Sequence, residues 1–315
     1  MAASLIKIIG FTLLVIESLI GIVANGFIVL MNYIDWFKSR KLSPADLIQT
    51  CLGLSRLAFQ AVVLLDVTLY SFSLSTHILN YLNRVNSVVW VFTNTANVWF
   101  ATWLSVFYFA KISIFSHPVF LQVKQRISGL VPRLLLGSVF FSAIKTITLV
   151  TAWSDGLSTF NFNSSHLSTN GSEIKRFDFC RYLDIVANAS NVIPLLIFLS
   201  SSILLITSLW KHTRRLQRNG TGVRDLNTQV HLTAIKALAS FSVLYLSSYL
   251  AFVAQAILIL NNMDHTWPMM LTDNVIAAYP SGHAVILILI NPKLKQTWVR
   301  MLHHLQCCLI PKDLP

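Results

Sequence analysis

Arg56, in the stretch CLGLSRLAF, is a permanent cation about three helical turns inside a hydrophobic run. A charge at that depth is costly in lipid and by default faces a helix-bundle interior or a water-filled cavity. Snorkelling to the interface suits residues near the ends of a span, and Arg56 is too deep for it. Its candidate partners are Asn25, in the preceding apolar run, and the Ser281/His283 neighbourhood of the last one. Together they read as an inner polar network that fixes helix packing. A second constellation is Trp90 and Asn94, four residues apart and so on one helix face. An aromatic slab beside an amide suits a small-molecule pocket, which is mostly apolar with a few orienting polar groups. A tryptophan near the interface serves equally as an aromatic-belt anchor. Asp273 either binds a protonated amine by charge-assisted hydrogen bonds, with cation–π help from Trp90, or is a helix N-terminal carboxylate favoured by the dipole. Glu17, Asp66 and Lys145 lie in the outer halves of their runs, where they line a cavity or reach water. No nucleophile–base pair, metal-ligand spacing or phosphate loop emerges, so the sequence predicts no enzyme, metal site or cofactor.

These residues need elements that can hold polar groups inside apolar surroundings. The chain has 315 residues, of which 55% are hydrophobic and 11% charged, and a mean hydropathy of +0.64. An ordinary soluble domain is about 25% charged, so a cytosolic protein is excluded. A bilayer core of about 30 Å needs about 20 apolar helical residues. On that rule the sequence predicts seven spans, at about 5–33, 45–72, 84–112, 128–152, 181–210, 229–260 and 268–290, with a tail over 291–315. The first apolar run is too long for a signal-peptide core of about 7–15 residues and is expected to be retained.

The net charge of +12 is explained by placement. Lys38, Arg40 and Lys41 follow the first span, Lys111, Lys124 and Arg126 the third, Lys211, Arg214, Arg215, Arg218 and Arg224 the fifth, and Lys293, Lys295, Arg300 and Lys312 the last. The other side has only Lys7, Arg84, Lys175, Arg176 and Arg181. That asymmetry predicts an extracellular N-terminus and a cytoplasmic tail, and points to membrane lipid in place of nucleic acid. Two acceptor sequons, at Asn163 and Asn170, fall on the predicted outer side as glycosylation requires.

The expected fold is therefore an all-α membrane protein: a seven-transmembrane helix bundle forming one domain over 1–315, with a short amphipathic helix after the seventh span. Asn291-Pro292 should end that span and start the new helix. Leu294, Trp298, Met301 and Leu305 then share an apolar face opposite Lys293, Lys295 and Arg300, the pattern of a helix lying on the inner leaflet. Cys307 and Cys308 just beyond are candidates for palmitoylation or a pair of free thiols. No internal repeat suggests a transporter.

Five long stretches, in order, resemble the type 2 (bitter) taste receptor family of G-protein-coupled receptors. They are NGFIVLMNYIDWFKSRKLSPADLIQTCLGLSRL, FATWLSVFYFAKISIFSHPVFLQVKQRI, PLLIFLSSSILLITSLWKHTRRLQ, DLNTQVHLTAIKALASFSVLYLSSYL and YPSGHAVILILINPKLKQ. Asp-Arg-Tyr after span three and its outer cysteine, both features of rhodopsin-like receptors, are absent, which leaves Cys180 without an evident partner. Departures from the family pattern are Ser113 and Ile114 after Lys111, Gln125 in place of an aromatic, and Ala284 in place of a serine that could have met Arg56.

The resemblance implies a pocket for bitter small molecules in the outer half of the bundle, lined by Trp90, Asn94 and Asp273, with Tyr245, Tyr249 and Phe252 from span six. It also implies an inner cavity bounded by Tyr108, Lys111, His212 and Lys236 that takes a heterotrimeric G protein, gustducin or an inhibitory-type α-subunit. Phospholipase C and calcium signalling at the plasma membrane would follow. Another seven-span chemoreceptor, such as a vomeronasal type 1 receptor, and a small-molecule transporter are the alternatives. The SLWKH and KLK stretches argue against the former.

Overall fold

In lipid every backbone N–H and C=O must be satisfied within the chain, which leaves helices as the natural solution for runs of this length. The computed structural model describes residues 2–71, 76–113, 118–163, 189–218, 226–261 and 266–309. Among them are eight helices: α1 Ala2–Ser39, α2 Pro44–Ser71, α3 Thr76–Ile112, α4 Pro118–Asn163, α5 Val192–Arg218, α6 Leu226–Leu260, α7 Thr266–Ile290 and α8 Pro292–Leu309. Each predicted span falls on one of the first seven. The opening of the predicted fifth span, with Cys180 and Asn170 before it, lies outside the described residues.

Local chemistry sets the boundaries. α1 ends where Arg40 takes a left-handed backbone, φ 53°, and its N–H bonds the Trp36 carbonyl at 2.7 Å, a single-bond αL cap. The guanidinium then lies 5.7 and 5.2 Å from the Trp36 and Phe37 ring centres. α2 starts on a serine N-cap: the Asp46 N–H donates to Ser43 Oγ at 3.2 Å, and the Ser43 hydroxyl donates to Asp46 Oδ2 at 2.6 Å. Pro44 occupies the first helical position, where a missing N–H costs nothing. At the other end of the chain, Asn291 Oδ1 accepts from the N–H groups of Lys293 and Leu294 at 3.1 and 3.4 Å, so Asn291 caps α8 as α7 ends.

Among the described residues six helices are long and apolar enough to cross a membrane, and α3 is not one of them. Its sequence is diluted by Asn86, Thr93, Asn94, Thr95, Asn97 and Thr102 because it is the shielded helix, packed against α2, α4 and α5. α1 packs on α2 and α7, α6 on α5 and α7, and α8 on α7. Polar side chains are buried among apolar ones inside the bundle, and large apolar side chains cover its exterior, unlike a soluble domain. Arg56 is 0% exposed and His283 1%, while Leu136 and Phe140 present 70% and 69% of their surface.

Close approach of α1 to α2 and α7 depends on Gly21. A Cβ there would stand 1.7 Å from Gln60 Nε2 and 2.4 Å from Ser281 Oγ.

α4 runs to Asn163, 46 residues or about 69 Å at 1.5 Å per residue, and its apolar stretch long enough to cross a membrane, Leu121–Ala152, ends where the predicted span 128–152 does. Asn163 is therefore the last residue of a helix and not part of an open loop. In α8, Leu294 and Trp298 do not face a leaflet: Leu294 is 3% exposed, and Trp298 meets Phe27 of α1 edge-on at 4.9 Å. Ala24, Ile28 and Ile288 complete that cluster. Apolar groups this close to a bundle gain as much from its grooves as from lipid, and the α7–α8 bend delivers them there.

Candidate functional site

Three polar constellations are strung along the bundle. Midway, Arg56 of α2 donates from Nε to Asn97 Oδ1 of α3 at 3.0 Å, and its Nη1 lies 2.9 Å from His283 Nδ1 of α7. Arginine has no acceptor, so Nδ1 accepts and the ring proton sits on Nε2. The guanidinium carbon is 5.1 Å from the Tyr279 ring centre, close enough for cation–π attraction. Phe241 of α6 stacks on the His283 ring at 3.9 Å and 21°, and Tyr245 stacks on Tyr279 at 5.2 Å and 20°. One guanidinium thereby links α2, α3 and α7, and two ring stacks add α6.

Asn25 is placed elsewhere. It donates to the carbonyls of Gly21 at 2.9 Å and Pro280 at 3.4 Å, tying α1 to α7 without reaching Arg56. Ser281 serves the next layer up, accepting from Gln60 Nε2 at 2.9 Å and donating to the Glu17 carbonyl at 2.8 Å. Ala284 is 0% exposed and packs with Ala24, Phe27 and Ile28 of α1. A serine there would point about 100° around the helix from His283, so the expected loss of an Arg56 partner at 284 does not arise.

At the end where α1 begins, Trp90 is half-buried, with the Phe59 ring 6.3 Å away and tilted 39°. One turn along α3, Asn86 donates to Asp66 of α2. Gln255 of α6 donates to Asp273 of α7 at 2.7 Å. Asn94 and Phe252 are half-buried on α3 and α6. Tyr249 packs beside the α3–α5–α6–α7 aromatic cluster, and Tyr245 is 3% exposed inside it, with Phe198 edge-on at 4.9 Å. Tyr245 therefore stands below Trp90 and Asp273, in the packed core. A separate apolar groove of about 300 Å³, lined by Val88, Val89, Phe92, Ala143, Thr146 and Ile147, lies between α3 and α4. Those α3 residues face away from Trp90 and Asn94.

At the opposite end, Tyr108 accepts from Gln49 Nε2 at 2.9 Å and packs toward Leu205, Leu209 and Leu238 of α5 and α6. Lys111 donates to the Lys124 carbonyl at 3.3 Å, and Lys124 to the Ser113 carbonyl at 3.4 Å, closing the α3–α4 junction. His212 is half-buried on α5 and Lys236 exposed on α6. Lys293 of α8 pairs with Asp35 at the end of α1. The backbone of α8 carries Cys307 and Cys308 in its last turn.

Sequence reasoning missed Asn97, Gln60, Tyr279, Asn86 and Gln255. Spacing offered a signal for two of them: Gln60 is one turn from Arg56, and Asn97 two turns from Trp90 on the same face. The other three acquire a role only once the helix rotations are known.

Comparison with known proteins adds an independent line. The Taste receptor protein (TAS2R) family matches residues 1–306. Taste receptor type 2 member 39 of Macaca mulatta is 37% identical over 307 residues, covering 95% of this chain and 87% of the relative. Taste receptor type 2 member 2 of Homo sapiens is 33% identical over 303 residues, 96% of this chain and 98% of the relative. Member 7 of Rattus norvegicus is 37% identical over 291 residues, 91% and 92%.

Proposed function

The chain belongs to the type 2 taste receptor family, multi-pass bitter receptors of the G-protein-coupled class, and from that premise we propose how this member works. It is a single receptor domain at the plasma membrane with its N-terminus outside. A bitter small molecule binds in the outer half of the bundle against Trp90 and Asn94, oriented by Asp273, with Tyr249 and Phe252 on the α6 side and Tyr245 beneath. The last helix of the G-protein α-subunit, from gustducin or an inhibitory-type relative, enters between Tyr108, Lys111, His212 and Lys236 as a helix in a groove. Phospholipase C and calcium release follow.

The observation that carries this reading is the set of contacts that ties four helices together midway between the two proposed sites. Trp90 and Asn97 lie on one face of α3, Asn97 holds Arg56, Arg56 holds His283, and His283 stacks on Phe241 of α6. A ligand that favours one arrangement of those groups shifts the population by its difference in affinity and by nothing else.

The test is calcium mobilisation in cells expressing the receptor with a gustducin chimera, challenged with a broad panel of bitter compounds. Trp90→Ala should raise half-maximal concentrations at least tenfold at unchanged surface expression, the loss of roughly 1.4 kcal/mol of ring contact. Unchanged dose–response curves for every effective agonist remove Trp90 from the pocket. Responses that survive complete removal of G-protein coupling sink the receptor mechanism. Antibody labelling of an N-terminal tag on intact cells tests the orientation.

A further inference from the structure

The basic residues that follow α1 have no part in the mechanism above. Lys38, Arg40 and Lys41 are all exposed, and among the described residues none of them pairs with a carboxylate. α8 brings a fourth cation to the same place. Lys293 pairs with Asp35 of α1, one turn before Lys38 on the same helix face. Leu294 and Trp298 hold α8 there, packed with Ala24, Phe27 and Ile28 of α1. The carboxylates adjoining in sequence are Asp35, taken by Lys293, and Asp46, which accepts from Ser43 at the start of α2. A surplus of positive charge therefore gathers where the α1–α2 connector meets α8.

The aromatic residues beside it mark the membrane surface. Tyr33, Trp36 and Phe37 are large and exposed at the end of an apolar run, the position of an interfacial belt. The Arg40 guanidinium is folded back over the Trp36 and Phe37 rings, 5.7 and 5.2 Å from their centres. That contact holds one cation at headgroup depth, where its planar fork suits a lipid phosphate. Lys38 stands in the last turn of α1 and Lys41 beyond it, both past the belt. A phosphate in the plane of the bilayer meets Arg40 alone, and cations past that plane need phosphates that project from it. Lipids phosphorylated on an inositol ring present such groups, and clustered cations beside a membrane span suit them.

We infer that the α1–α2 connector and the start of α8 form a binding site for a phosphoinositide. Its bridging phosphate sits at Arg40 and its ring phosphates among Lys38, Lys41 and Lys293. One headgroup then ties α8 to the connector, and Asp35 competes with it for Lys293. In cells the site meets this lipid only with the connector on the cytoplasmic side, the orientation proposed above. Binding to the purified receptor does not depend on that orientation, so the two can fail separately.

The experiment uses the full-length receptor in detergent, with lipid occupancy read by native mass spectrometry. An ionic strength of about 0.15 M screens diffuse attraction beyond about 8 Å. Probes are short-chain phosphatidylinositol bisphosphate, unphosphorylated phosphatidylinositol, phosphatidylserine and soluble inositol trisphosphate. The bisphosphate lipid should bind as a single copy and half-saturate at least about tenfold below the other two lipids, the worth of one or two further cations engaged. Lys38→Gln with Lys41→Gln leaves the helix cap at Arg40 intact and should weaken it about ten- to thirtyfold. Lys211→Gln with Arg214→Gln removes the same charge from the inner end of α5 and should leave binding unchanged. Asp35→Asn releases Lys293 and should tighten binding about two- to fivefold. It also guards against a folding defect, since a damaged α1–α8 junction loses lipid where an intact one gains it, and weaker binding by this variant counts against the site. Equal affinity for phosphatidylserine and the bisphosphate lipid overturns the inference. So does equal weakening by the two double variants, which would make the attraction a property of the whole basic surface. Displacement of the lipid by an equal concentration of inositol trisphosphate would assign the site to a free phosphate and overturn the lipid.

Discussion

Arg56 holds a full charge inside the bundle with two directed hydrogen bonds and a tyrosine face, and among the described residues it has no ion pair with a carboxylate. Such a charge tolerates little loss, because a partner removed leaves the guanidinium desolvated and unpaired. We predict that His283→Phe, which preserves a ring to stack on Phe241 but offers Arg56 nothing, destabilises the receptor by about 2 kcal/mol. Surface expression should drop with it. His283→Asn can return an acceptor oxygen and should recover part of the loss; equal thermal midpoints for the two variants would show that the stack matters and the hydrogen bond does not. Depth in an apolar run made Arg56 legible from sequence, and a histidine in the last span made its partner so. Asn97 was hidden, since an amide in α3 is one of several and only helix rotation selects it. Asn25 misled for the same reason: it shares the right depth and faces α7 from the wrong side.

Helices were legible where an apolar run and a capping signal coincide, and illegible where they do not. The break at Asn291-Pro292 was predicted because proline needs a first helical turn and asparagine makes a cap. The full extent of α4 was not, because hydropathy marks only the part of a helix that meets lipid. α3 shows the converse, a span legible at 84–112 from its length and its apolar residues although its polar face leaves it less apolar than the other six. The cap on α8 carries the prediction at this scale. Asn291→Ala strips the acceptor from the Lys293 and Leu294 N–H groups and should cost about 1 kcal/mol. Hydrogen exchange should speed up at those two amides and relax toward the unprotected rate through the first turn of α8. If only distant α7 amides respond, the cap is not what anchors the helix.

For the whole molecule, signalling requires two arrangements of the bundle close in free energy, and the ring stacks joining α6 to α7 are the contacts best placed to separate them. Phe241 lies flat on His283 at 3.9 Å, and Tyr245 on Tyr279 at 5.2 Å. Both α7 rings also touch Arg56, so any swing of α6 at its inner end must slide or part these rings while the arginine stays bound. Aromatic pairs contribute about 0.5–1.5 kcal/mol beyond their area, which corresponds to a two- to tenfold change in a population ratio. That is large enough to read and small enough to leave the fold intact. Phe241→Leu keeps most of the apolar volume and removes the stack. If the stack belongs to the resting arrangement, the variant should raise agonist-independent G-protein activation two- to tenfold and lower half-maximal agonist concentrations by a similar factor, because the fraction competent to bind has risen. Removing it from an arrangement shared by both states would change stability alone. Basal activity and agonist potency measured together at matched surface expression decide between these outcomes, and unchanged values for both would exclude the α6–α7 stacks as the element that agonists bias.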